Sequence, residues 1–308
     1  MSSESPPLIG VLPVLPTPYR QDGAIDPKAM ARLVQFAVGA GAHGIVFPGV
    51  ASEFNFLSLD ERRTLIGIVG ANVGDLPFVV GASGNTVDEV VALSDEGRAA
   101  GATAAMVMAP ASIGTEIPAL VAFFSAIAER ASLPIILQNA QPPVGSGLPI
   151  ETILAVAKAV PQIAYIKEET LPSGPRISGL IAGAPASLKG VIGGGGARHL
   201  YDELERGAVA AMPALEIVDA HVALFGAYAG GDHAKARQIY IRTLPILLIQ
   251  LIYRMTLTKE TLVQRGLLDN ALTRAPLPKF DERGLAEIGA ILTELHDLLA
   301  APLPASNT

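Results

Sequence analysis

The segment Ile163-Ala-Tyr-Ile-Lys-Glu-Glu169 places a lysine near the end of an otherwise apolar run. An ammonium is costly to bury, so a strand core rarely carries one. Alternate side chains of an extended chain share a face, which groups Tyr165, Lys167 and Glu169. Two readings are open for Lys167. It can end the strand and lift its amine to water. Or it is a desolvated amine that attacks a carbonyl and forms a Schiff base, with Glu169 orienting it or relaying protons. The chain has only seven lysines, and the others lie in helical or polar surroundings. Tyr165, one layer below, reads as core.

A second candidate is Phe47-Pro-Gly-Val-Ala-Ser-Glu53. Gly49 permits close approach of backbone to a ligand. The backbone at Ala51 and the hydroxyl of Ser52 suit a carboxylate. Glu53 beside a helix start reads either as a structural acceptor or as a proton relay. Gln138 and Asn139 close the fifth apolar run, with Asn139 a candidate for substrate binding, and Gly193 to Gly196 follow the seventh. Gly194 is a candidate for close passage of substrate; phosphate cradling is the weaker reading, because no Lys-Ser/Thr ending follows. His43, His199, His221, His233 and His296 form no H-x-x-x-H pair and have no carboxylate cluster, so no metal is expected. Nothing calls for a cofactor.

The elements that must position these residues repeat. Short apolar runs begin near Leu8, His43, Pro77, Ala104, Pro134, Ile163, Leu188 and Ala208. Near-continuous apolar runs suit parallel strands buried on both faces. Helix starts stand between them. Asp26 precedes Pro27, and Met30, Leu33, Val34 and Ala37 follow at helical spacing. Ser58-Leu-Asp-Glu61 and Thr86-Val-Asp-Glu89 match the capping box. Alternating strand and helix gives an α/β fold, and eight units in about 220 residues give a (β/α)8 TIM barrel, whose reactions occur at the C-terminal ends of the strands. A doubly wound sheet is the runner-up, without its G-x-G-x-x-G opening. From about Ala220 the strand signals stop. Residues 1–220 therefore read as the barrel and 221–308 as C-terminal helices packed on it, with Ile288, Ile291, Leu292, Leu295 and Leu299 on one apolar face. Lys259, Arg265 and Arg274 read as a solvated face. The closing PLPASNT reads as frayed.

The 308 residues are 50% hydrophobic and 17% charged, which excludes disorder. A net charge of -7 gives no reason to seek nucleic acid or anionic lipid. With no cysteine, disulfides, thiolate metal sites and cysteine nucleophiles are excluded. LPILLIQLIY at 244–253 is too short to cross a bilayer. The opening twenty residues make a poor signal peptide, and a cytoplasmic location is expected.

Taken together, Gly49-Val-Ala-Ser-Glu53, the single lysine of YIKEE, the glycine run, GVLPVLPTPYRQDGAID and LSLDER resemble the dihydrodipicolinate synthase / N-acetylneuraminate lyase family over essentially the whole chain. The resemblance implies a (β/α)8 enzyme that joins Lys167 to a 2-oxo acid as a Schiff base. It also implies a homotetramer and a small-molecule 2-oxo acid as the partner. Where the family has Gly-Thr-Thr-Gly-Glu, both threonines are missing here. The fifth-strand tyrosine that relays protons in the family is Gln138, and the paired loop tyrosines are replaced by Pro110-Ala-Ser-Ile113. Gln138 with Lys167-x-Glu169 is similar to the L-2-keto-3-deoxyarabonate dehydratase subgroup. That implies dehydration of a 2-keto-3-deoxy sugar acid, with Gln138 positioning the leaving hydroxyl. Two alternatives stand beside it: an aldolase or lyase of the same family, and a non-catalytic barrel that binds 2-oxo acids.

Overall fold

The computed structural model describes residues 6–300. Each of the eight apolar runs contains a strand: β1 (Gly10–Val11), β2 (Ile45–Phe47), β3 (Phe78–Gly81), β4 (Ala104–Val107), β5 (Ile135–Asn139), β6 (Ile163–Glu168), β7 (Gly190–Gly193) and β8 (Ala210–Ala211). Each is followed by a helix, from α1 (Pro27–Gly39) after β1 to α8 (Val218–Ala229) after β8. Nearly every strand residue is buried, which is why these runs lack polar alternation.

The chain divides into two compact units. One holds residues 6–9 and Pro77–Met212. Its strands β3 to β8 pair in chain order, all parallel. The connecting helices are α3 (Val87–Ala99), α4 (Ile117–Arg130), α5 (Ile150–Ala159), α6 (Ser173–Ala182) and α7 (Leu200–Glu205). Thr86 caps α3 by accepting from the Glu89 N–H at 3.2 Å. Glu89 does not complete a capping box, because its carboxylate takes the N–H of Asn85 instead, at 2.7 Å.

The other unit holds Gly10–Leu76 and residues 213–300. Val14 bridges in parallel to Val46 of β2 and to Ala214. Asp26 caps α1 through the Ala29 N–H at 3.0 Å, with Pro27 at the first helical position. Met30, Leu33, Val34 and Ala37 are all buried, as their spacing requires. Ser58 and Glu61 form the full reciprocal box at the start of α2 (Leu59–Asn72). The C-terminal helices α9 (His233–Tyr253), α10 (Met255–Gln264) and α11 (Glu282–Glu294) follow α8. Ile288, Ile291 and Leu295 join Ile217, Ala220, Ile246, Leu247 and Leu257 in one buried cluster, with Leu292 and Leu299 packed at its edge. The apolar 244–253 stretch lies within α9, and no described helix is long and apolar enough to cross a membrane. PLPASNT lies outside the described residues.

The expected solvated face is a correction. Lys259 is 0% exposed and Arg265 9%, and Arg274 is largely covered. Each cation has a buried acidic partner or a ring to lie on. Arg265 pairs with Asp219 and lies over Phe36. Lys259 donates to Glu53 at 2.6 Å, and its Nζ lies 4.2 Å from the centre of the Tyr19 ring. Arg274 lies 4.6 Å from that ring and forks onto Glu61. Burial pushes the Lys259 amine down to about 8, with the Glu53 carboxylate pulling the other way. The signal was present: Lys259 shares a helix face with Met255 and Leu262, four before and three after it.

Removing one member of so buried a pair strands the other charge. Lys259→Ala should cost about 3–5 kcal/mol in urea unfolding. A loss under about 1 kcal/mol, the range of an exposed pair, would show that the Glu53–Lys259 contact does not hold the unit together.

Candidate active site

The register of β5 and β6 sets the site. Gln138 lies beside Lys167, and Asn139 beside Glu168. Strand alternation then gives two side-chain groups on opposite faces.

The first group contains Lys167, Glu169 and Gln138. Lys167 is 3% exposed, and its Nζ lies 3.2 Å from Glu169 Oε1. The Gln138 amide donates to Glu169 Oε2 at 2.6 Å, and the Gly195 N–H donates to Oε1 at 3.2 Å. Burial opposes ionisation of Glu169. The Lys167 ammonium, the Gln138 amide and the Gly195 N–H override it, so the carboxyl stays below its usual range. The carbonyl oxygen of Gln138 has no partner among the described residues.

Glycines make room for this group. A side chain at Gly194 would overlap Glu169. Gly195 and Gly196 have φ of +57° and +70°, a left-handed backbone that L side chains rarely adopt. The turn aims the Gly195 N–H at the carboxylate. Gly194 thus acts by leaving space for Glu169.

The second group was not foreseen. Glu168 is fully buried and ion-paired with Arg176 of α6 at 3.1 Å. The Asn139 amide donates to both Glu168 oxygens, at 3.2 and 3.0 Å, and its own oxygen accepts the Leu148 N–H at 2.8 Å. Asn139, expected to bind substrate, is therefore engaged with Glu168 and the loop before α5. Glu203 of α7 is also buried, with Ser173 donating to it at 2.7 Å. Its sequence signal was position: Leu200, Glu203 and Leu204 share one face of α7. Tyr165 is buried, its hydroxyl accepting the Leu8 N–H at 3.1 Å.

The 49–53 segment belongs to the other unit and forms its own turn. Ser52 donates to the Leu15 carbonyl at 2.5 Å and accepts the Gly49 N–H at 2.9 Å. Thr17 donates to the Ser52 carbonyl at 2.6 Å. The Ser52 hydroxyl is thus occupied in shaping the turn. Ala51 is half-buried within it. Glu53 has φ of 58° and accepts Lys259, the Arg274 N–H and the Ala275 N–H, the structural acceptor role. Among the described residues, no group of three His, Cys, Asp or Glu could hold a metal ion.

The first group can do a limited set of chemistry: a primary amine, an ionised carboxylate able to take a proton, and an amide able to orient a hydroxyl. Comparison with known proteins narrows it. The chain is 27% identical to L-2-keto-3-deoxyarabonate dehydratase of Azospirillum brasilense over 97% of its length and 98% of that protein's. It is 33% identical to 4-hydroxy-tetrahydrodipicolinate synthase of Rhizobium meliloti over 52% of this chain and 55% of that one. The crystal structure of dihydrodipicolinate synthase from Rhodopseudomonas palustris superposes with a TM-score of 0.86 at 23% identity, covering 93% of this chain and 97% of that one. The model of the Dihydrodipicolinate synthetase family matches residues 7–295, and the chain belongs to that family.

Proposed function

We propose that this chain is a Schiff-base lyase that dehydrates a 2-keto-3-deoxy sugar acid, of the kind named by its Azospirillum relative, to an oxo-semialdehyde. The observation that carries the reading is the buried Lys167 amine, 3.2 Å from a Glu169 carboxylate whose other oxygen is held by Gln138.

The amine attacks the C2 carbonyl of the 2-oxo acid and water leaves, giving an imine. The imine acidifies C3. Glu169, ionised and adjacent, takes a C3 proton and leaves the electron pair in an enamine. The pair then expels the C4 hydroxyl, which departs as water with a proton returned from the site. The new C3–C4 double bond then isomerises: C5 gives up one carbon-bound proton and its hydroxyl proton while C3 and C4 each gain one, leaving a C5 aldehyde; hydrolysis of the imine releases the oxo-semialdehyde and frees Lys167. Gln138 orients the C4 hydroxyl through its unpartnered carbonyl oxygen. Aldol cleavage would instead need a base to remove the C4 hydroxyl proton, and an amide does not titrate usefully. The reading places this chemistry on a closed (β/α)8 barrel, residues 1–220, with a C-terminal helical extension over 221–308. Assembly as a homotetramer and a cytoplasmic location belong to the same reading.

Incubation with pyruvate or a 2-keto-3-deoxy acid, followed by borohydride, should leave a covalent adduct on the Lys167 peptide, read by mass. The 2-keto-3-deoxypentonate should yield oxo-semialdehyde. Release of pyruvate instead would mean aldol cleavage, and no adduct from a folded protein would leave only a binding barrel. Glu169→Gln should still form the adduct while turnover falls roughly 10²–10⁴-fold, the usual worth of a general base. Unchanged turnover would remove Glu169 from the proton transfer.

A further inference from the structure

Glu203 takes no part in the chemistry above, yet it is 1% exposed and sits directly behind β7. Its Oε1 accepts the hydroxyl of Ser173, the first residue of α6, at 2.7 Å. Its Oε2 is buried with no hydrogen-bond partner. A side chain at Gly193 would overlap this oxygen, while one at Gly194 would overlap Glu169. Successive residues of extended backbone face opposite sides. The glycine pair therefore has a carboxyl group on each side, with only backbone between them.

The charged groups around Glu203 are mostly acidic. From the end of β6 and the residue after it come Glu168 and Glu169, the latter paired with Lys167. From α6 comes Arg176, already committed to Glu168. From α7 itself comes Asp202, bound by Arg206 at 2.9 Å. Burial pushes the Glu203 carboxyl up to about 7; the Ser173 hydrogen bond works against this, and the charges of Glu169, Asp202 and Glu168 add to it. A neutral carboxyl also tolerates the orphaned oxygen far better than a carboxylate would.

We propose that Glu203 is a positioning residue that acts on the Lys167–Glu169 pair through the glycine backbone of β7, holding that backbone and Ser173 while it carries a proton. Loss of the proton sets a second negative charge behind Glu169. That charge favours the ammonium over the free amine that attacks a carbonyl, so imine formation slows as Glu203 ionises. The inference rests on the reading of Lys167 as that amine.

Glu203→Gln is nearly isosteric and mimics the protonated acid. The test compares rates of the borohydride-trapped pyruvate adduct in variant and wild type between about pH 6 and about pH 8. The ratio of variant to wild type should be near one at the acid end. It should rise to roughly tenfold at the alkaline end, the size expected of one charge across a partly buried gap. A ratio that does not change with pH means a merely structural role and overturns the proposal. Infrared difference spectra of the wild type supply a reading that survives a misfolded variant. A buried protonated-carboxyl band should fade with a midpoint near 7 and shift in Ser173→Ala; absence of that band overturns the proposal. An adduct with a flat ratio sinks this inference alone, whereas no wild-type adduct at any pH sinks it together with the proposed function.

Discussion

The constraint on which the site depends is a primary amine held almost out of water inside a strand. An isolated ammonium at that place would carry a large desolvation cost. Lys167 stays because Glu169 stands two residues on, where strand alternation brings the two side chains to the same face. Burial works against the charge of that carboxylate; the Lys167 ammonium offsets it, and neutral donors add to that. The Gln138 amide and the Gly195 N–H supply them, one to each oxygen. Each demand fixes a further piece of chain: the register of β5 against β6, then the left-handed glycine turn after β7. Any side chain at Gly194 would displace Glu169, so the amine would lose the charge that keeps it in place.

The other face of β6 solves a separate problem with similar parts. Glu168 is fully buried and takes an ion pair from Arg176, two contacts from Asn139 and the N–H of Thr170. None of these groups faces Lys167. They tie β5, the loop before α5 and the start of α6 to the end of β6, where a shift of one residue would exchange the two faces. Two adjacent glutamates thus have different tasks, one toward the amine and one toward the helices. In the other unit, Glu53 does for the 49–53 turn what Glu168 does here, drawing Lys259 and two backbone donors from the C-terminal helical segment.

The strands and three helix starts were legible in the sequence, because apolar runs and capping residues act over a few positions. Asp26, Ser58 and Thr86 cap their helices as their local pattern demands. Lys167 and Glu169 stand out in the sequence because a charge in an apolar run is costly, and Gln138 because the family resemblance places a tyrosine there. What stayed hidden was pairing at long range. Lys259 meets a residue 206 positions away, and Arg274 meets one 213 away. A charge on a helix reads as solvated unless its partner is known, so Lys259, Arg265, Arg274 and Glu203 were passed over. Asn139 follows Gln138 in the strand, and alternation assigns it to the opposite face, where it meets Glu168. Ser52 offered a hydroxyl, and nothing local showed that Leu15 and Gly49 use it.

The absence of a phenol at position 138 limits the chemistry more than any residue present. Both dehydration and aldol cleavage begin from an imine, and they diverge at the next proton. Cleavage of the C3–C4 bond takes the hydroxyl proton and retains the oxygen as a carbonyl; dehydration takes a carbon proton and discards the oxygen. A group that titrates beside the hydroxyl favours the first. A group that only orients it, next to an ionised carboxylate near C3, favours the second. Gln138 cannot accept and release a proton at ordinary pH, and its donor is already bound to Glu169. The same hydrogen bond helps to hold Glu169 ionised beside Lys167 and leaves the amide's oxygen as a neutral acceptor without a partner among the described residues.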